Sequence, residues 1–394
     1  MASALQTRTR WGIPDCFMIL NIADVNEVFL NLSKIIERDS KSTTYKFALL
    51  RGMIDIIQDN SPYISIKDSR AHFPTGLLIE KWLLYYYPIL ASATSIPQIN
   101  GEVNLSFEEQ FKNLIQGYIT IGGYSAFYSD LKNEGIPSHL ANEFTELARQ
   151  LKQTITTMPM KYIGRSVSNN FYSIFHLESR GKNPSRADRI DLQFLIDNFG
   201  SFSIPIEYYD ALRLFGSFVN GKDSILFKWA EFSVAASGNR LSVDKVLNEV
   251  LKSPITQRDV EESKKLYNNI LTNEGKVHCV WTGKPIESFD VDHLIPFSIW
   301  KNNDLWNLLP AQATINNQKR NKIPAVALIE KQKGLIVHYW ELMNQHQQDR
   351  FGKEIKTSLL GADVFQGWQA RAINRIKESC NYLITTRGYE EWKI

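Results

Sequence analysis

Residues 289–320 constrain the fold of this chain more than any other segment does. The run FDVDHLIP at 289–296 follows a turn at 282–285 and is typical of a β-strand. A short apolar run at 307–309 indicates a second strand. Residues 312–320 contain no Gly or Pro and favour a helix. The order strand, loop, strand, helix predicts a compact β-hairpin leaning on a helix.

Helical patterns dominate the rest of the chain. One helix face is indicated by apolar residues at helical spacing, namely Phe47, Leu50, Ile54 and Ile57. Residues 77–90 are apolar on nearly every side, which predicts a helix in the centre of a core. We therefore predict a mainly α protein with a small α+β module made of the hairpin and its helix.

The chain is long for one hydrophobic core, since it has 394 residues, and its length suits two domains. The best boundary lies at 236–240, where Ser237 and Gly238 interrupt the helical pattern. We expect residues 1–240 to form a mostly helical recognition or sensor domain. Residues 241–394 would form a second domain that contains the hairpin and its flanking helices.

Composition limits the classes of partner and compartment. Hydrophobic residues make up 43% of the chain and charged residues 22%, which is typical of a folded globular protein. A net charge of only +3 means that contact with nucleic acid must come from local clusters. Cys16, Cys279 and Cys380 form no CxxC pair, which argues against a disulfide scaffold. With no secretory pattern at the N terminus and no apolar stretch of membrane-spanning length, we expect a soluble, cytoplasmic protein without membrane contact.

Three side chains of the predicted hairpin and helix suit phosphodiester hydrolysis. This reaction needs a general base that generates hydroxide and a cation that neutralises the developing charge. His293 is the candidate base, because an imidazole of unperturbed pKa near ~6.5 is largely neutral at cellular pH. Asp292 and Asn316 supply a carboxylate and an amide oxygen, which suit Mg²⁺. We predict these two residues as metal ligands, with Mn²⁺ as a substitute ion.

Residues 279–324 resemble the HNH, or ββα-metal, endonuclease motif, most of all the version in RNA-guided CRISPR effector nucleases and McrA-like restriction enzymes. That motif has a DH pair on the first strand, an Asn in the connecting loop and a His or Asn on the helix. Asp292 and His293 match the pair, and Asn307 and Asn316 follow at the family's spacing. Many relatives flank the motif with CxxC pairs that hold zinc. Only Cys279 is present here, so we expect no structural zinc.

The resemblance also implies roles for other residues of the motif. Asn307 would be structural, its amide bridging backbone groups so that the loop holds His293 in its working orientation. The basic residues after the helical ligand, Lys319, Arg320 and Lys322, would contact DNA phosphates without reading sequence. The implied substrate is DNA, expected to be double-stranded. The implied setting is bacterial restriction or phage defence, with a defence-system protein as a further partner.

Several alternatives stay open at this stage. Asn317 adjoins Asn316 and would replace it as the ligand if the helix were rotated by one residue. Asp290 shares a strand face with Asp292, but an aspartate there is more often a solvent-facing charge, and we leave it out of the site. The chain could also use a ββα scaffold as a non-catalytic DNA-binding or regulatory protein, or it could cleave RNA. The sequence does not specify an oligomeric state.

Overall fold

The structure is a computed structural model that describes residues 28, 30–34, 42–101, 104–163, 173–182, 187–219, 225–255, 257–364 and 366–394. Cys16 lies outside these residues. Two hydrophobic cores are formed, one from residues between Val28 and Val250 and the other from residues between Leu266 and Trp392. We call the corresponding parts of the chain the first and the second domain. Helices dominate both, which confirms the mainly α prediction.

The first domain surrounds one small sheet with helices. Its helices are α1 (Tyr45–Gln58), α2 (Thr75–Leu90), α3 (Glu108–Tyr118), α4 (Gly123–Ser129), α5 (Ala141–Thr157), α6 (Pro159–Tyr162), α7 (Leu192–Asn198), α8 (Ile206–Val219), α9 (Ile225–Ala236) and α10 (Val243–Val250). Its strands are β1 (Ser65–Lys67), β2 (Arg70–Pro74), β3 (His176–Ser179) and β4 (Ser201–Pro205). They form one antiparallel sheet in the order β1-β2-β4-β3.

Helix α2 lies in the middle of the first core. Almost all of its side chains are buried, as its continuous apolar character predicted. Gly76 allows α2 to approach α7 closely, because a Cβ at this position would lie 2.3 Å from the backbone of Leu195. Any larger residue at this position would therefore push the two helices apart.

The second domain consists of short strand pairs enclosed by longer helices. Its helices are α11 (Glu261–Glu274), α12 (Phe297–Trp300), α13 (Ala313–Lys319), α14 (Val326–His346), α15 (Gln348–Ile355) and α16 (Trp368–Thr385). Its strands are β5 (Val277–His278), β6 (Pro285–Ile286), β7 (Asp290–His293), β8 (Leu308–Ala311), β9 (Ile323–Pro324) and β10 (Glu391–Trp392). The antiparallel pair β7–β8 followed by α13 is the hairpin and helix predicted from the sequence.

The division between the two cores falls after Val250, beyond the predicted boundary at 240/241. Helix α10 packs on α9, and its Val246 and Val250 are buried in the first core. Gly238, with φ of 67°, lies in the turn between these two helices. Ser237 and Gly238 thus mark a reversal of the chain inside the first domain rather than a linker.

Hydrogen bonds join the two domains directly. Asn60 donates from Nδ2 to Ser379 Oγ over 3.1 Å, and its carbonyl accepts from the Arg375 guanidinium over 2.7 Å. Tyr382 of α16 donates to the carbonyl of Arg213 in α8 over 2.8 Å.

None of the helices in the described part of the chain has the length and apolar character needed to cross a bilayer.

Candidate functional site

Strands β7 and β8 place Asp292 and His293 on opposite sides of the hairpin. Asp292 is paired with Leu309 and His293 with Leu308. Adjacent side chains of a strand point to opposite faces. Asp292 accordingly contacts α13, whereas His293 contacts the loop that leads from α12 to β8.

Asn307 fixes the end of this hairpin. Its side chain is fully buried, with Oδ1 accepting from the Ile295 amide over 2.8 Å and Nδ2 donating to the Ile295 carbonyl over 3.0 Å. Its own carbonyl accepts from the Leu294 amide over 2.7 Å. The backbone at Ile295 is therefore bridged by a single amide side chain.

His293 is buried, and one ring nitrogen contacts a polar side chain. Its side chain is 4% exposed, and the ring packs edge-on against Phe297. Nε2 lies 3.3 Å from Asn303 Oδ1, and Asn303 Nδ2 donates to the Gln257 carbonyl over 3.0 Å. Because the second bond turns the amide oxygen toward the ring, Nε2 is the protonated nitrogen. Burial lowers the pKa of His293 to about 4, so the ring is neutral at physiological pH.

Asp292 forms a buried polar cluster with two partners. Its side chain is 6% exposed, and Trp281 donates from Nε1 to Oδ2 over 2.7 Å. Lys319 Nζ lies 3.1 Å from Oδ1 and 3.0 Å from Oδ2, and donates to the His293 carbonyl over 2.5 Å. Burial raises the pKa of Asp292 and lowers the pKa of Lys319, while their mutual attraction opposes both shifts.

Asn316 lies one turn before Lys319 on the same face of α13. It is half-buried, and its Nδ2 is 3.3 Å from Asp290 Oδ2, whereas Asn317 is exposed. The helix therefore presents Asn316 to the hairpin and turns Asn317 to solvent. Asp290, which we left out of the site, is partly buried and accepts this hydrogen bond.

Two family models match this chain. One, described as a domain of unknown function (DUF8808), matches residues 25–250, which is more than half of the chain. The chain belongs to this family. A second model, described as an HNH endonuclease, matches residues 279–325. This DUF8808 member therefore carries an HNH domain where the sequence predicted one. No curated protein and no solved structure gives a significant match.

The three basic residues predicted to contact DNA differ in their exposure and in their partners. Lys319, expected to contact DNA phosphate, is 0% exposed and faces Asp292, so its ammonium cannot reach a phosphate from this position. Lys322 forms an ion pair with Glu390. Arg320 is exposed and follows the last residue of α13.

Arg258 is a cation before the hairpin that the sequence motif does not mark. It is exposed, and it has no hydrogen bond or ion pair within the described ranges. Burial lowers the pKa of His293 and raises that of Asp292, and the positive charge of Arg258 adds to the first shift and opposes the second. No motif marks Arg258, because it lies outside the matched segment, in the connection between the domains.

The side chains around α13 include the oxygen donor types that a hard divalent cation prefers. Asp292 and Asp290 are carboxylates, and the Asn316 amide oxygen accepts no hydrogen bond from any residue that the structure describes. Within those same residues, no group of three or more His, Cys, Asp or Glu side chains is arranged to hold a metal. Mg²⁺ usually keeps several water ligands and binds only a few protein oxygens. HNH endonucleases generally use a divalent metal ion.

The two described cysteines are both buried. Cys279 Sγ accepts from the Gln312 amide over 3.3 Å and so supports the start of α13. Cys380 lies within α16, in the second core. Each thiol is thus part of the packing around the hairpin.

Proposed function

We propose that this chain is a Mg²⁺-dependent HNH endonuclease that hydrolyses phosphodiester bonds of DNA, with His293 as general base. The observation that supports this most is the arrangement within the matched segment. A neutral, buried imidazole and a buried carboxylate stand on adjacent residues of the hairpin, and an amide oxygen stands on α13, which contacts the hairpin through Asp290 and Asp292. Mn²⁺ is proposed as the substitute ion.

His293 supplies the proton acceptor. Since Nε2 donates to Asn303, Nδ1 is the nitrogen that can take a proton from water. A base works best when its pKa is near the working pH. The phosphate of a bound substrate would raise the pKa of His293 from about 4, because a nearby negative charge stabilises the imidazolium form. Substrate binding would therefore make this ring a stronger base.

Asp292 and Asn316 would hold the divalent ion. When bound, such an ion supplies positive charge for the phosphorane-like transition state and for the departing 3′ oxygen. Trp281 would fix the orientation of the Asp292 carboxylate through its 2.7 Å hydrogen bond. Asn307 would act as a positioning residue, because it holds the backbone next to His293.

Contacts to the substrate would come from the exposed cations around the hairpin. Arg320 and Arg258 are exposed, and Lys322 would have to exchange Glu390 for a phosphate. Such contacts position the backbone without reading sequence. The first domain would then supply recognition of double-stranded DNA or of a defence-system partner. A role in bacterial restriction or phage defence, as in McrA-like or CRISPR effector nucleases, is proposed by analogy with the HNH motif alone.

Plasmid cleavage tests this proposal. Purified full-length protein is incubated with supercoiled plasmid and either Mg²⁺, Mn²⁺ or a chelator, and His293→Ala is compared with His346→Ala. His346 is exposed on α14 and serves as the matched control. We expect cleavage that requires a divalent ion, is retained in His346→Ala and is lost in His293→Ala.

Parallel substrates separate the alternatives. Single-stranded DNA and RNA are tested under the same conditions with the same two variants. Cleavage of RNA alone, lost in His293→Ala, would replace the proposal by a ribonuclease. Retention of DNA without nicking under either ion would favour a non-catalytic binding protein, a result that the closed position of His293 makes worth testing.

A further inference from the structure

Lys319 has the environment of a bound cation. A lysine ammonium has three protons to donate. The oxygens around Nζ are also three, namely both carboxylate oxygens of Asp292 and the backbone carbonyl of His293. The Trp281 ring lies 5.5 Å from Nζ and covers one side of it. The side chain is completely buried, so this arrangement is part of the core and not an accidental surface pair.

This position conflicts with metal binding by Asp292. Both carboxylate oxygens already face an ammonium at 3.0 to 3.1 Å. A divalent ion at the same carboxylate would approach to about 2.0–2.1 Å from an oxygen. Two cations this close would repel each other strongly in a buried site. Nζ therefore has to move away from at least one Asp292 oxygen before that oxygen can bind a metal ion.

The end of α13 allows such a movement. Lys319 is the last residue of that helix, and Arg320 after it has φ of 52°, outside the helical region. The chain at this point is no longer held by a continuing helix. A long, unbranched side chain on the terminal residue can turn away without unwinding the rest of α13.

We propose that Lys319 is a built-in cation that keeps the metal centre closed, and that binding of a divalent ion at Asp292 requires its displacement. The inference rests on the proposed function, since it assumes that Asp292 is a metal ligand. Lys319 is a positioning residue here: it neutralises a buried carboxylate while the site is empty of metal. Its release would also bring an ammonium to the surface beside Arg320, where a phosphate can bind it.

Metal affinity without DNA tests the proposal. Binding of Mn²⁺ to full-length protein is measured by electron paramagnetic resonance for the wild type, Lys319→Met and Asp292→Asn. Met is close to Lys in length and removes the ammonium, with both its charge and its hydrogen-bond donors. We expect Lys319→Met to bind Mn²⁺ about tenfold more tightly or better, because the competing cation is gone, and Asp292→Asn to lose this binding.

The possible results separate this inference from the proposed function. Binding by the wild type that Asp292→Asn abolishes, with equal or weaker affinity in Lys319→Met, would overturn the role of Lys319 and leave the metal site standing. Absence of binding in both the wild type and Lys319→Met would overturn both proposals.

A measurement on the wild type keeps the test valid if Lys319→Met does not fold. Reductive methylation of lysines is followed by mass spectrometry with and without Mg²⁺, and the exposed Lys333 of α14 is the internal control. We expect Lys319 to be protected without the ion and methylated at least several-fold faster with it, while Lys333 does not change. Protection of Lys319 at saturating Mg²⁺ would contradict displacement.

Discussion

Replacement of Asn307 by Ala gives the sharpest test of how the hairpin is built. The change removes both hydrogen bonds to Ile295 and leaves a buried N–H and a buried C=O without their partner. Each such group costs about 1–3 kcal/mol when it is left unsatisfied. The expected loss is therefore about 2–6 kcal/mol, a large part of the stability of a typical domain.

Asn316→Ala is the matched control for this prediction. It removes an amide from the same motif, but Asn316 is half-buried and makes one long bond of 3.3 Å to Asp290. We expect this change to cost below about 1 kcal/mol. If Asn316 is a metal ligand, the variant would nevertheless lose Mn²⁺ binding. The pair thus separates a residue that stabilises the fold from one proposed to bind the metal.

Hydrogen exchange measured by mass spectrometry gives a local readout for both variants. A loss of about 2 kcal/mol or more in local stability corresponds to exchange about 30-fold faster in peptides that cover β7 and β8. We expect this acceleration in Asn307→Ala and near wild-type exchange in Asn316→Ala. Wild-type exchange rates in Asn307→Ala would refute the conclusion that this one amide holds the end of the hairpin.

Two further predictions concern His293 and Arg258. The pKa of His293 is about 4 in the folded chain and near 6.5 in the unfolded one, so its contribution of about 3 kcal/mol is present above pH 6.5 and is lost as the pH falls toward 4. In urea unfolding at pH 7 and pH 4.5, His293→Gln should therefore lose less stability than the wild type, and equal losses would contradict the burial of a neutral ring. Arg258→Ala should weaken DNA binding and reduce the slope of log affinity against log salt by about 1, because one phosphate contact is removed. An unchanged slope in a filter-binding assay, with Lys333→Ala as control, would exclude such a contact.

Local sequence patterns predicted the elements that depend on local rules. The continuous apolar run at 77–90 became α2 in the centre of the first core, because no face of it can be left in water. The strand, loop, strand, helix order became β7, β8 and α13, because the turn residues and the alternation of side chains define each element. The match to the HNH endonuclease model covers the segment from which this prediction was made.

Features that depend on distant partners were not predicted. A lysine after a helical ligand is ordinarily exposed, and only the three-dimensional partners Asp292 and the His293 carbonyl make its burial acceptable. The spacing offered one clue, since Lys319 lies three residues after Asn316 and hence on the same helix face. The first core extends past Ser237 and Gly238 to Val250, because Ser and Gly mark reversals within a domain as well as linkers between domains.

Asn303 links the imidazole of His293 to the segment that connects the two domains. One amide group faces His293 with its oxygen and the Gln257 carbonyl with its nitrogen. Hydrogen bonds weaken steeply once the atoms separate by a few tenths of an ångström, so a small shift of residue 257 would free the ring or turn the amide. The resting protonation pattern of the HNH domain is thereby coupled to the segment that leaves the first domain. A partner that bound the first domain and moved this segment would change the surroundings of His293 without touching it.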